Sequence, residues 1–295
     1  MGNFTERLEK MTPLQRAVYA LKETQTRLDS LEQKQIEPIA VIGMACRFPG
    51  GANDPEAYWR LLVDGVDAIG EVPPDRWDVD AFYDADPTVP GKMHTRWGGF
   101  LERIDEFDNH FFGISEREAA LIDPQHRLLL ELSWEALEDA GLPPADLKRA
   151  RVGVFVALGN SDYGTLLVRE ASQSDAYATA GLTPCIAANR ISFAFDLTGP
   201  SLVMDSACSA SLVALHVACQ SLRSGDCEAA LVAGVNLVLS PVPMISLAKS
   251  GLLTSDRKVR AFDAAASGYV RGEGAGIVVL KRLSCPKSGD QTWQD

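Results

Sequence analysis

One cysteine in this chain lies where a nucleophile can be activated. Cys208 follows a short apolar run, residues 202–204, and precedes a segment, residues 212–222, whose apolar side chains recur at three- and four-residue steps. This pattern predicts a strand, a sharp turn and a helix, with Cys208 at the turn. Unpaired backbone N–H groups and the helix dipole favour an anion at a helix N-terminus, so we expect a stabilised thiolate that attacks a carbonyl carbon.

The residues around Cys208 are small or polar, which leaves the sulfur accessible. They are Asp205, Ser206, Ala207 and Ser209. The backbone N–H groups of such a turn, including that of Cys208, are suited to bind the oxyanion formed when a thiolate attacks an acyl group. From these features alone a nucleophile and an inert core cysteine are equally open readings, because most free cysteines are buried and unreactive. We expect five cysteines to be such core residues: Cys46, Cys185, Cys219, Cys227 and Cys285.

The turn is one of five motifs that follow one another along the chain. Residues 205–211 read DSACSAS, and the other motifs are residues 37–50, 123–131, 188–192 and 268–276. As a set they resemble the β-ketoacyl synthases, specifically the N-terminal half of the ketosynthase domain of modular type I polyketide synthases. The resemblance covers residues 36–283. It implies that Cys208 carries the acyl group as a thioester.

The order of strand and helix patterns favours a layered α/β fold with a largely parallel sheet. The resemblance implies the N-terminal half of a thiolase-like fold, with a mixed, largely parallel sheet and helices on both faces. A helix pattern over 115–140 is interrupted at Asp123-Pro124, which predicts two helices. The glycines of 272–276 are not followed by Gly-Lys-Ser or Gly-Lys-Thr, so close backbone packing is expected rather than phosphate binding. A short buried strand is predicted at 39–42, and further strands at 151–158, 227–239 and 277–280. A helix is predicted at 54–66 with an apolar side formed by Tyr58, Trp59, Leu62 and Val66, and further helices at 165–180 and 184–195. Residues 72–112 are predicted to be a long loop region.

In the resembled family, the cysteine receives an acyl group from the phosphopantetheine thioester of an acyl carrier protein. A malonyl-type extender is then decarboxylated, and its carbanion attacks the bound acyl group. The family uses two histidines, in His-Gly-Thr-Gly-Thr and Asn-x-Gly-His blocks, to stabilise that enolate. This sequence contains neither block, and residues 284–295 are unlike the family's continuation. We therefore expect acyl transfer by lineage, but no condensation by this chain alone, and no bound cofactor.

None of the four histidines is predicted to replace the missing pair. His216 lies eight residues after Cys208 on the same predicted helix, which is about 12 Å along its axis. His126 lies in a motif where the resembled family commonly has Gln or His. His94 and His110 belong to the long loop region.

Residues 1–35 form a separate unit in this reading, followed by a synthase domain at 36–283 and a tail at 284–295. Thr12 is a helix N-cap, followed by Pro13 and, three residues after the cap, by Gln15. Apolar residues then follow a coiled-coil seam, which predicts a helix that dimerises or docks. The resemblance implies that this helix receives an upstream polyketide synthase subunit. A solvated helix packed on its own domain is the alternative. The seam residues are Leu14, Val18, Leu21 and Leu28.

Composition narrows the class of partner. The 295 residues carry a net charge of −12, which argues against nucleic acid or an anionic membrane as the main partner. No apolar run approaches the roughly 20 residues of a membrane span. Six cysteines without paired spacing suggest reduced thiols in the cytoplasm, and the lack of a CxxC pair gives no support to a zinc site. The resemblance implies an acyl carrier protein as a partner, and the helix in residues 1–35 a second copy of the chain.

Two other functions remain open from the sequence. One is a non-catalytic half-domain, or docking module, that pairs with a separately encoded C-terminal half. The other is an inactive truncation product. Both start from the same observation, that the two histidine blocks are absent from the 295 residues.

Overall fold

The computed structural model describes residues 12–159, 161–167 and 176–284, except for the side chains of residues 30–35. The α-helices in these ranges are α1 (Pro13–Gln35), α2 (Pro55–Val63), α3 (Val79–Phe82), α4 (Glu116–Leu121), α5 (Pro124–Asp139), α6 (Tyr163–Leu167), α7 (Ala176–Leu182), α8 (Ile186–Ala194), α9 (Ala210–Ser224) and α10 (Pro241–Lys249). The strands are β1 (Ile39–Arg47), β2 (Gly70–Glu71), β3 (Trp97–Gly99), β4 (Val152–Ala157), β5 (Ser201–Met204), β6 (Ala229–Asn236), β7 (Arg271–Gly272) and β8 (Gly274–Arg282).

A five-stranded sheet in the order β1-β8-β6-β4-β5 forms the centre of the fold. β4 pairs in parallel with β5 and β6, whereas β8 pairs antiparallel with β6 and β1. The mixed α/β architecture is confirmed, with its pairings divided evenly between the two directions. β8 is antiparallel to β6 because the chain between them begins and ends at the same end of the strands, where Asn236 pairs with Gly274.

Helices cover both faces of this sheet, as expected. β4 is buried along its whole length, and its side chains alternate between the two faces. Val154 and Val156 contact a core that includes residues of α5 and α8, whereas Phe155 packs against α9. A strand buried on both faces must be apolar throughout, which explains the unbroken VGVFVA sequence of β4.

Local capping fixes the helix boundaries that the sequence indicates. The predicted interruption at Asp123-Pro124 is present: the Asp123 carboxylate accepts the Gln125 N–H at 2.8 Å and starts α5, with Pro124 in its first turn. At the start of α1, Gln15 Oε1 accepts the Thr12 N–H at 2.9 Å, and Thr12 Oγ1 accepts the Gln15 N–H at 3.3 Å. These contacts form the predicted capping box.

The loop region 72–112 carries only short elements, as predicted, and it reaches the main sheet. β3 pairs in parallel with β7, so that Gly98 faces Arg271 and Gly99 faces Gly272. β7 directly precedes β8. Through β7, the loop region is therefore joined to the main sheet at the C-terminal ends of β5 and β6.

Two predicted elements differ from the structure in their environment. The strand expected to be buried at 39–42 is the start of β1, a nine-residue edge strand in which Val41 and Met44 are exposed. The predicted apolar side of α2 is also exposed, most clearly at Trp59 and Leu62. Hydrophobicity favours burial, but an edge position leaves one side of an element without a neighbour.

The helix predicted at 165–180 corresponds to α6 and α7, and residues 168–175 between them lie outside the described residues. The seam residues of α1 are all exposed, and α1 contacts α9. Residues 1–11 of the predicted docking segment lie outside the described ranges. Among the helices described, none combines the length and apolarity needed to cross a membrane.

Candidate functional site

The turn that carries Cys208 connects β5 to α9, in the order that the sequence pattern predicts. Asp205 accepts the Ala207 N–H through Oδ1 at 2.8 Å. The hydroxyl groups of Ser206 and Ser209 lie 2.9 Å apart, and Ser209 Oγ also donates to the Ser206 carbonyl at 3.0 Å. These short-range hydrogen bonds fix the backbone on both sides of Cys208.

Ala207 adopts a backbone conformation that side chains rarely tolerate. Its φ is +54°, in the left-handed region. That region costs an L-residue roughly 1–2 kcal/mol because Cβ approaches a carbonyl oxygen, and the cost is larger for bulky or branched side chains. A small residue before Cys208 thus permits the sharp change in direction between strand and helix.

The helix begins later than the sequence suggests. Residues Ala207–Ser209 form a 3₁₀ turn, and α9 starts at Ala210. The N–H groups of Ser209 and Ala210 are bonded to the carbonyls of Ser206 and Ala207. Within the described residues, the Cys208 N–H has no hydrogen-bond partner. The backbone donor left free at the sulfur is therefore that of Cys208 itself.

Cys208 is exposed and lines a cavity of about 830 Å³. Asp205 and Ala207 line the same cavity, whereas Ser206 and Ser209 act within the turn. Opposite walls come from β6, from the β7–β8 segment and from Phe48. Ligand sites commonly have this size and a largely apolar lining with few polar groups. A thiol beside such a space can accept an acyl group from a substrate that enters it.

Glycines allow the cavity walls to approach one another. A Cβ on Gly234 would lie 2.6 Å from Ser211 Oγ, and one on Gly274 would lie 2.8 Å from the Phe48 ring. Real Cβ atoms do not come so close to other atoms, so a larger residue at either position would force the Ser211 or Phe48 side chain to shift. Within 272–276, close packing is found at Gly274, whereas a Cβ on Gly276 would make only ordinary contacts and one on Gly272 would meet open space.

Two charged wall residues were not singled out from the sequence. Arg271 and Glu273 lie between the glycines of the 268–276 motif, and both line the cavity with Cys208. The Arg271 charge acts on the Asp162 carboxylate. Burial raises the pKa of Asp162, while the hydrogen bond from the Leu239 N–H and the Arg271 charge oppose that rise. The only signal in the sequence was the motif itself, since the partners of these side chains lie far away along the chain.

The remaining cysteines differ in exposure. Cys46 and Cys227 are buried as expected, and burial raises the pKa of the Cys227 thiol to about 11. Cys219 is half-buried. Cys185 is exposed, so its assignment to the core is wrong; it precedes α8 at the end of the helix rather than on its packed face. Cys285 lies outside the described residues.

No histidine lines the cavity within the described part of the chain. His126 is buried, with 1% of its surface exposed. Burial lowers its pKa to about 4, and although the Asp123 charge opposes this shift, the Arg190 charge adds to it. His94 contacts the Leu253 carbonyl at 3.0 Å through Nε2. Nor do the described residues contain a cluster of three or more His, Cys, Asp or Glu suited to a metal ion.

Residues 36–285 match the model of the β-ketoacyl synthase N-terminal domain. The chain is 49% identical over 284 residues to one phenolphthiocerol/phthiocerol polyketide synthase polypeptide of Mycobacterium tuberculosis (strain CDC 1551), covering 96% of this chain and 16% of that protein. It is 50% identical over 256 residues to another polypeptide of the same synthase from the same strain, covering 86% and 17%. The chain thus spans about one sixth of these relatives.

Solved ketosynthase structures are similar in fold as well as in sequence. The oxazolomycin ketosynthase domain of Streptomyces albus JA3453 matches with a TM-score of 0.79 and 45% identity, over 83% of this chain and 43% of that one. The ketosynthase from module 6 of the Bacillus subtilis 168 bacillaene synthase matches with a TM-score of 0.74 and 40% identity, over 83% and 40%. Both matches cover less than half of the solved chains.

Proposed function

The chain belongs to the β-ketoacyl synthase family, through the N-terminal domain of a polyketide synthase ketosynthase, and we propose that Cys208 is its acyl-carrying nucleophile. The substrate class is an acyl thioester on the phosphopantetheine arm of an acyl carrier protein. One observation carries the proposal: an exposed thiol lies in a fixed strand-to-helix turn and lines a cavity of about 830 Å³.

The proposed reaction is a thioester exchange. Cys208 loses its proton to solvent, and the thiolate attacks the thioester carbonyl to give a tetrahedral oxyanion. The free N–H of Cys208 is available to donate to that oxygen. The bond between the acyl carbon and the pantetheine sulfur then breaks, the pantetheine thiolate leaves, and it takes up a proton. One thioester is consumed and one is formed.

The turn residues have supporting roles in this proposal. Asp205 holds the Ala207 N–H, and Ser206 and Ser209 hold each other, so the four residues keep Cys208 at the cavity. No histidine of the described chain lines the cavity, so the proposed step is acyl loading and not the decarboxylative condensation that would follow it.

Acylation can be measured by intact-mass spectrometry after incubation with hexanoyl-N-acetylcysteamine thioester. We expect one hexanoyl adduct on the wild-type chain, mapped to Cys208, and none on Cys208→Ala. Cys185→Ala is the matched control, because Cys185 is also exposed but lies outside the cavity. Equal labelling of Cys208→Ala and wild type, or no labelling of wild type, would refute the proposal.

The proposed partners are an acyl carrier protein, an upstream polyketide synthase subunit that docks on residues 1–35, and a second copy of the chain. Exposed seam residues on α1, such as Leu14 and Leu21, support a helix that packs against another helix. Sedimentation velocity of the chain with and without residues 1–35 tests this role. An unchanged oligomeric state, together with no binding of the C-terminal segment of an upstream synthase polypeptide, would contradict it.

The cytoplasm is the proposed compartment, supported by the free thiols.

A second candidate function rests on exposed apolar side chains. Phe262 is fully exposed, Phe193 is 89% exposed and Leu212 is 72% exposed. Such side chains favour contact with another polypeptide, so a half-domain that associates with a separately encoded C-terminal half is the alternative. Co-expression with a ketosynthase C-terminal half tests it: co-purification with condensation activity supports this role, and separate migration of the two chains refutes it.

A further inference from the structure

Glu273 lines the cavity, but its side chain is buried, with no exposed side-chain surface. Its Oε1 accepts the Val238 N–H at 2.9 Å, directly after β6. Its Oε2 accepts the Leu101 N–H at 2.7 Å, in the loop region 72–112. One carboxylate thus joins two segments that are distant in sequence.

Arg76 completes this arrangement. Its guanidinium donates to Glu273 Oε2 at 3.2 Å and to the Leu101 carbonyl at 2.9 Å, and only 5% of its side chain is exposed. The buried carboxylate is therefore paired with a charge and hydrogen-bonded through both oxygens, which is the condition for a stable buried ion.

The backbone next to Glu273 forms part of the cavity wall. The Glu273 N–H donates to the Gly99 carbonyl at 2.8 Å, and the Asn236 side chain donates to the Gly272 carbonyl at 2.8 Å. Gly272 and Gly274, on either side of Glu273, line the cavity with Cys208. Because these glycines have no side chains, the wall keeps its shape through the contacts of the residue between them.

We propose that Glu273 is a positioning residue, whose buried carboxylate, with Arg76, holds the glycine wall of the Cys208 cavity in the shape that receives the acyl thioester. This inference rests on the proposed function of Cys208. Glu273 acts on the wall and not on the sulfur, because Cys208 lies on the separate β5–α9 turn. Loss of the carboxylate should therefore weaken thioester binding and leave the reactivity of the thiol unchanged.

Glu273→Gln is a sharp test because both oxygens of the carboxylate accept from N–H groups. In one orientation the amide NH₂ of glutamine faces the Val238 N–H, and in the other it faces the Leu101 N–H and the Arg76 guanidinium, so at least one hydrogen bond is lost. Glu118→Gln is the matched control: Glu118 is paired with Arg190 at 2.9 Å, is partly buried, and lies outside the cavity wall. Both variants remove one carboxylate from an ion pair.

Single-turnover acylation with hexanoyl-N-acetylcysteamine thioester separates binding from reactivity. For Glu273→Gln we expect the half-saturating thioester concentration to rise about tenfold, from loss of one charge-assisted hydrogen bond, with the maximal rate within about twofold of wild type. Alkylation of Cys208 by iodoacetamide should also stay within about twofold. Glu118→Gln should match wild type in all three values. Equal half-saturation in both variants, or a parallel loss of acylation and alkylation, would overturn the positioning role.

Hydrogen exchange of the same proteins tests the wall without relying on activity. In Glu273→Gln we expect faster exchange at Leu101, Val238 and Glu273, and unchanged exchange in α5. If the wild type is not acylated, the function proposed for Cys208 fails, while this exchange pattern still decides whether Glu273 holds the wall. Unchanged protection at these three amides would refute the positioning role independently.

Discussion

Replacement of His126 by glutamine should reduce the acid sensitivity of this protein. The unfolded chain binds a proton at His126 near the ordinary pKa of 6.5, whereas burial lowers the folded pKa to about 4. Between these values the unfolded state binds more protons, so the stability of the folded state decreases as the pH falls from about 6.5 to 4. Above pH 6.5 the imidazole is neutral in both states and the pH dependence from this residue vanishes.

The magnitude follows from the size of the shift. Each pKa unit corresponds to about 1.4 kcal/mol, so a fall from pH 7.5 to 4.5 should remove about 2.5 kcal/mol of the free energy of unfolding through His126. His126→Gln cannot titrate and should lack this part of the pH dependence. Other groups, including Glu131 and Asp162 with their raised pKa values, titrate equally in both proteins and cancel in the comparison.

Urea unfolding at pH 7.5 and 4.5, followed by tryptophan fluorescence, measures the difference. His216→Gln is the control, since it makes the same substitution at an exposed histidine. The same loss of stability on acidification in wild type and His126→Gln would refute the reasoning. Alkylation of Cys208 at neutral pH should be equal in both, because His126 does not line the cavity; a large decrease would show instead that it acts on the sulfur.

Two further predictions concern the geometry of the site. Ala207→Gly should raise the free energy of unfolding by up to about 1 kcal/mol, measured by urea unfolding, because relief of left-handed strain exceeds the entropy cost of glycine. Gly274→Ala should lower the free energy of unfolding by about 1–3 kcal/mol and slow acylation of Cys208, because the added methyl group displaces the Phe48 ring into the cavity.

Matched variants accompany these two predictions. Ala207→Val should destabilise the fold, since a branched side chain is more strained at positive φ; a Gly variant that is less stable than wild type would contradict the strain argument. Gly276→Ala places its methyl group at an ordinary 3.7 Å from Phe48 and should cost less stability than Gly274→Ala. Equal stability losses at Gly274 and Gly276 would show that the close contact at Gly274 does not matter.

Features that depend on neighbours in sequence were predictable. The turn at Cys208 follows from a short apolar run, small residues and a helical pattern, all within about 20 residues. The break at Asp123-Pro124 and the capping box at Thr12 depend on hydrogen bonds that span two or three residues. Propensity and capping chemistry act over such distances, so the sequence pattern contains the information directly.

Features that depend on contacts between distant segments were not predictable from patterns. The periodicity of β8 indicates a strand but contains nothing about its direction, which follows from the route of the chain between β6 and β8. Cysteine is a residue type that is usually buried, yet Cys185 lies at an exposed helix end. Hydrophobicity alone cannot tell an edge or an end from the interior.

The sequence by itself determined where the proposed nucleophile lies and which local turn presents it, because those interactions are confined to a few consecutive residues. Only the tertiary structure decided what surrounds the sulfur. The cavity wall depends on Glu273, whose carboxylate binds Leu101, 172 residues away, and Val238, 35 residues away. Such a site forms only after the sheet and the loop region have packed together, since a buried carboxylate is stable only when all of its partners are in place.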